Sequence, residues 1–204
     1  YPSSAGLMGQ IRDRITQFIG THLNLEHHHA LELQERYYRT YKTSMRGLMI
    51  QHGVEPEAFM SFVHNIDLSD IYPDLCLREA LQCLPGRRII YTNASDRHAE
   101  NILDRLGLTG VFDAVFDIKA ADYLPKPFVS SYERLVQNLN IEPEKSVFVE
   151  DMPVNLEPAA HMGMTTVWLC AEDGGSKEGL PPEFVHYKIE DLTSWLRGQI
   201  LAVC

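Results

Sequence analysis

From residue 87 onward the chain alternates two textures. Short runs that are apolar at nearly every position are separated by stretches with helical spacing. The runs are "RRIIYT" (Arg87–Thr92), "AVFDI" (Ala114–Ile118), "SVFVE" (Ser146–Glu150) and "TTVWL" (Thr165–Leu169), with a weaker one at "VHYKI" (Val185–Ile189). Helices are expected between them, from about Ser95 to Leu106, Val129 to Leu139 and Val154 to Met162, the first and last closed by Gly107 and Gly163. Strand, helix, strand, helix implies right-handed crossovers and a parallel sheet covered on both faces. Strands buried on both faces read as continuous apolar runs rather than alternating ones. The fold class is therefore α/β, a three-layer αβα, Rossmann-like parallel sheet.

The first third has a different period. Leu7, Ile11, Ile15, Phe18 and Ile19 recur at helical spacing, as do Leu33, Tyr37, Tyr41, Met45, Leu48 and Met49 over about His29 to Gln51. Gly53 stands where a C-terminal cap belongs, and a third helix is expected from Pro56 to His64. No strand pattern precedes about residue 86. "NIDLSDIYPDLC" reads as the connection from a helical part into the main domain, and Ala171–Glu183 as a surface loop. "HHH" within Leu25–Leu31 reads as a loop or helix start, because adjacent helical residues point in different directions and do not converge on one ion.

Charge narrows the function. Against 28 acidic residues stand 18 basic ones, a net charge of −10. This disfavours non-specific binding to nucleic acid or to an anionic membrane. The sequence has no apolar stretch of the ~18 residues that a bilayer span needs. Cys76, Cys83, Cys170 and Cys204 form no CxxC pair. Reduced thiols and a cytoplasmic location are expected.

In open parallel sheets, ligands bind beyond the carboxyl ends of the strands. The first run ends in Thr92-Asn93-Ala94-Ser95 and the third in Glu150-Asp151; "YLPKPF" follows the second and holds Lys126 between two prolines. Each residue has a plainer role: strand end for Thr92, helix cap for Ser95, surface charge for Lys126, helix-dipole partners for the acids. Together they put a hydroxyl, an ammonium and two carboxylates on one rim. That set suits a phosphate and a hard cation. The hydroxyl and the N-terminus of the following helix can hold phosphate oxygens, Lys supplies a point charge, and the acid pair suits Mg²⁺.

At this point the sequence resembles the haloacid dehalogenase (HAD) superfamily of phosphohydrolases. "IIYTN" resembles its second motif, Lys126 in "PKP" its third, and "VFVEDMPVN" its fourth. The resemblance implies that Thr92 and Lys126 are catalytic and steady a transferring phosphoryl group. It implies Mg²⁺ as cofactor, held by Asp151 directly and by Glu150 through water. Residues 1–70 resemble a small helical cap subdomain and 71–204 the HAD-like core. "YPSSAGL", "YYRTYKTSMRGLM" and "YTNASDRHA" resemble the pyrimidine 5′-nucleotidase-like group. That implies a small phosphorylated substrate, a nucleoside 5′-monophosphate, met by Asn93, Tyr41, Thr43 and Arg46. Tyr41 also reads as helix packing and Arg46 as part of a solvated face.

One departure matters. The family's first motif, Asp-x-Asp after the first strand, supplies the nucleophile and the general acid/base, and the sequence contains no Asp-x-Asp. The motif is expected upstream of Tyr1, on the central strand of the sheet. These 204 residues alone are then expected to be inactive and to bind metal weakly. The alternatives are a dehalogenase or sugar-phosphate mutase of the same fold, and a non-catalytic phosphate- or metabolite-binding protein.

Overall fold

The computed structural model describes residues 6–170 and 181–203. Four helices come first: α1 (Leu7–Leu23), α2 (His27–Tyr41), α3 (Ser44–His52) and α4 (Pro56–Val63). Their buried faces meet around Ile19, Leu33, Tyr37, Leu48, Phe59 and Val63. The single periodic stretch expected from His29 to Gln51 is two helices. Lys42 is left-handed at φ 68° and ends α2, and Thr43 is extended and caps α3 by accepting the Arg46 N–H. The apolar period runs through the break because α2 and α3 pack on each other. At that contact Gly47 lies so close to Tyr37 that a Cβ would stand 2.5 Å from its ring. The Tyr37 hydroxyl also pairs with His52 Nε2 at 2.7 Å. The histidine triplet opens α2 with exposed side chains.

The rest alternates as expected: β1 (Ile89–Tyr91), α6 (Asp96–Arg105), β2 (Ala114–Phe116), α7 (Val129–Leu139), β3 (Val147–Glu150), α8 (Pro153–His161), β4 (Thr165–Leu169) and β5 (Tyr187–Ile189). Two helices were not anticipated, α5 (Leu75–Gln82) before β1 and α9 (Leu192–Val203) after β5. They pack together, with Leu81 and Leu196 in one cluster beside Ile102 of α6 and Leu106, the residue that ends it. Most of the loop expected over Ala171–Glu183, and Cys204, lie outside the described residues. Cys76 and Cys83 are exposed and Cys170 is buried, all three as free thiols. Among the described residues no helix is long and apolar enough to cross a membrane.

All strand pairs are parallel, and the fold is α/β. The ladder is nevertheless in two pieces, β1-β2 and β3-β4-β5. Tyr91 sits opposite Phe116, and Glu150 opposite Trp168. Only β4 has the fully buried centre expected of every run; Val147 of β3 is 56% exposed. The reason is that β1 and β3 each have a single strand partner among the described residues. Rings bridge them instead: Tyr91, Phe148 and Tyr132 form a mutual cluster with centroids 5.2–6.1 Å apart.

Gly47→Ala is predicted to force α2 and α3 apart and to lower stability by about 1–3 kcal/mol, the usual cost of overpacking. Urea unfolding followed by circular dichroism measures it.

Candidate active site

The carboxyl ends of β1 and β3 meet at Lys126. Its ammonium donates to the Tyr91 carbonyl at 3.1 Å and to Glu150 Oε2 at 2.6 Å. The side chains of Lys126 and Glu150 are only 10% and 8% exposed, so this is a buried pair. The rings of Tyr91 and Phe148 lie 5.0 and 5.7 Å from the same ammonium. The backbone of Lys126 is held as well: its N–H donates to Asn93 Oδ1 at 2.8 Å, and Asn93 Nδ2 donates to its carbonyl at 3.4 Å. Asn93, expected on the substrate, thus has both ends of its amide on Lys126. These two bonds hold the backbone of Lys126.

Thr92 extends the β1–β2 ladder by one bond, from its N–H to the Phe116 carbonyl at 3.0 Å. Its hydroxyl accepts the Ala94 N–H at 3.0 Å, which folds the turn into α6. The N-terminus of α6 differs from the expected anion cradle. Its first N–H groups are already taken: Asp96 N–H by Asp117 Oδ2 (3.1 Å), Arg97 N–H by Asp96 Oδ1 (2.6 Å) and His98 N–H by Ser95 Oγ (3.3 Å). Asp117 is buried and accepts Ala120 N–H on its other oxygen at 2.9 Å. The visible signal for it was the one acid within the "AVFDI" run.

The two acids at the carboxyl end of β3 are unequal. Burial opposes charge on Glu150, but the Lys126 ammonium and hydrogen bonds from Asp151, Lys126 and Asn155 outweigh it and hold its carboxyl below the usual range. Asp151 shares a hydrogen bond with Glu150; that bond, partial burial and the neighbouring negative charge push it up to about 6. Trp168 Nε1 donates to the Asp151 carbonyl at 3.0 Å and fixes the turn. A divalent cation would relieve the repulsion. As oxygen donors the pair fits Mg²⁺. Among the described residues no group of three or more His, Cys, Asp or Glu is arranged to hold a metal.

The helical unit approaches this rim. Arg46 donates from Nη1 to the Tyr123 carbonyl at 3.3 Å, with its guanidinium 5.3 Å from the Phe128 ring centre. Tyr123 and Phe128 flank Lys126 in sequence. Tyr41 and Thr43 bond within the helical unit, Tyr41 accepting from Gln51 Nε2 at 2.6 Å and Thr43 capping α3. Tyr38, which the sequence did not single out, brings its hydroxyl to 4.0 Å from Met152 Sδ, next to Asp151.

Comparison with known proteins identifies the family and the fold. A family model described as haloacid dehalogenase-like hydrolase matches residues 14–163. An enolase-phosphatase E1 from Picosynechococcus is 28% identical over 172 residues, spanning 79% of this chain and 69% of its own. An (S)-2-haloacid dehalogenase from Xanthobacter autotrophicus is 29% identical over 147 residues, spanning 69% of this chain and 54% of its own. Among solved structures, a HAD phosphatase from Thermococcus onnurineus superposes with a TM-score of 0.63 at 18% identity, covering 95% of this chain and 90% of its own. The hydrolase YfnB of Bacillus subtilis, bound to magnesium, gives 0.60 at 14% identity, covering 95% and 92%.

Lys126→Met, which strands a buried carboxylate, is expected to cost about 3–5 kcal/mol, and adding Glu150→Gln is expected to recover most of it; urea denaturation of the cycle measures both. Without metal, Asp151→Asn is expected to raise stability by on the order of 1 kcal/mol at about pH 8, a figure reduced for the solvent that reaches this side chain. The sign follows from the raised folded pKa. Between about pH 4 and 6 the unfolded chain has already lost this proton, so stability falls as pH rises, and the gain from Asn shrinks toward pH 4.

Proposed function

The chain belongs to the haloacid dehalogenase-like hydrolases, and from that premise we propose that it forms the phosphate- and Mg²⁺-binding part of a phosphohydrolase acting on small phosphate monoesters. The observation that carries this reading is the convergence of Thr92, Lys126, Glu150 and Asp151 at one rim. The acid pair separates phosphatase from dehalogenase chemistry, since a metal-binding carboxylate pair has no task in displacing halide.

Mg²⁺, held at Asp151 and by Glu150 through water, would supply charge neutralisation to the transferring phosphoryl oxygens. Lys126 stabilises the same oxygens as a fixed, buried cation, and Thr92 offers its hydroxyl proton to one of them. Covalent transfer also needs a carboxylate nucleophile and an acid/base. Glu150 is committed to Lys126, and no Asp-x-Asp occurs in the sequence. We assign both roles to an Asp-x-Asp strand end seated between β1 and β3, each of which has a single strand partner among the described residues. The helical unit, residues 1–70, acts as a cap over the rim. Within it Arg46 and Tyr41, with Thr43 shaping the turn, face the leaving group, for which a pyrimidine nucleoside is the reading carried by the sequence resemblance.

Joined to a strand ending in Asp-x-Asp, these residues are expected to release phosphate from p-nitrophenyl phosphate with Mg²⁺ and to stop in EDTA. Asp151→Asn is expected to cut the rate on the order of 10²-fold. The 204 residues alone should release none. Turnover that survives both EDTA and Asp151→Asn contradicts the metal role, and halide release from a 2-haloacid without metal favours the dehalogenase. A panel of purine and pyrimidine monophosphates, with sugar phosphates for comparison, tests the leaving group.

A further inference from the structure

A second cluster of titratable groups lies apart from the Lys126 rim. His64, the residue that ends α4, stacks on His98 of α6 with ring centres 4.4 Å apart and planes 22° from parallel. His64 Nδ1 pairs with Ser95 Oγ at 3.0 Å, and the same oxygen accepts the His98 N–H. Ser95 closes the Thr92–Ser95 turn. The stack therefore joins the helical unit to the segment that carries Thr92. A cavity of about 360 Å³ opens beside it, lined by His64, Asn65, Ser95, His98 and Asn101 among others.

The pair is built to be neutral. His98 is 6% exposed, and its Nδ1 is buried with no hydrogen-bond partner. A proton there would meet no acceptor, and a charge on either ring would face the other. The charged groups around the stack do not offset this. Glu57 of α4 is engaged by Lys119 at 3.4 Å and by the Tyr123 hydroxyl at 3.2 Å. On α6, Asp96 turns Oδ1 back to its neighbour's N–H, and Arg97 brings a positive charge. Asp117, after β2, has both oxygens on backbone N–H groups.

We propose that the His64–His98 stack is an acid-sensitive latch, whose protonation separates α4 from the first turn of α6 and loosens the Thr92–Ser95 turn. Burial, with the neighbouring ring second, lowers the His64 pKa to about 4, and burial lowers that of His98. The sign follows. A histidine whose folded pKa is depressed leaves the native state binding fewer protons than the unfolded chain, so the latch holds at neutral pH and weakens as pH falls from about 6.5 toward 4. The latch needs neither metal nor nucleophile, so its failure would leave the phosphohydrolase reading standing.

Hydrogen exchange read by mass spectrometry tests it on the whole chain. Going from about pH 7 to 4.5, after correction for intrinsic rates, residues 60–66 and 93–101 should lose at least roughly tenfold in protection relative to residues 153–169, the factor given by one pH unit of linked protonation. The double variant His64→Gln/His98→Phe, which retains a hydrogen-bonding amide and an aromatic ring, should lose no such difference. Uniform loss across all segments in the natural sequence, or equal loss in the variant, overturns the latch. Should the variant not fold, NMR titration of the natural imidazoles decides: His64 must titrate well below 6.5, together with the loss of protection, and titration at or above that value overturns the proposal.

Discussion

The Lys126–Glu150 ion pair is the contact on which the site depends. It spans the place where the sheet is interrupted. Lys126 takes the Tyr91 carbonyl from the β1 side and Glu150 from the end of β3. Two such buried charges lose hydration, and their attraction compensates only with good geometry and satisfied neighbours. Both conditions hold: the ammonium lies near two aromatic rings, and Asn93 clamps the lysine backbone. The pair leaves Asp151 as the second acid, which a proton or a cation must relieve. Stability is thereby given up at the position where a metal would act, a common exchange at functional sites.

The helical unit is tied to this core by apolar packing, with Ile118 set into the helical cluster and Leu7 of α1 into the cluster of α5, α6 and α9, and by several polar contacts and one ring stack. Arg46 reaches the Tyr123 carbonyl, Glu57 reaches Lys119 and Tyr123, and His64 reaches Ser95 and His98. These contacts fall on the segment leading to Lys126 and on the turn after Thr92. Movement of the helices is therefore coupled to Lys126 and Thr92, the two residues proposed to face phosphate.

Much of this was legible in the sequence, for physical reasons. Buried parallel strands demand apolar runs, so β1 to β4 stood out, and ligands gather at strand ends, so Thr92, Lys126, Glu150 and Asp151 did too. What was not legible depends on tertiary contact. Gly47 is an ordinary helical residue until Tyr37 packs on it. The break at Lys42 carries no glycine or proline. α5 and α9 gain their stability from each other and from α6. The α6 N-terminus looked open until Asp117, 21 residues away, filled it. The His64–His98 stack joins two residues that no local spacing relates.

The rim is proposed to recognise phosphate through Lys126 with a divalent cation beside it. The line width of inorganic phosphate in ³¹P NMR, titrated with the 204-residue chain and Mg²⁺, tests it at the weak affinities expected. Saturable broadening that grows with Mg²⁺ and is lost in Lys126→Met is the predicted result. Broadening unchanged in Lys126→Met, or none at all with the natural sequence, would contradict it.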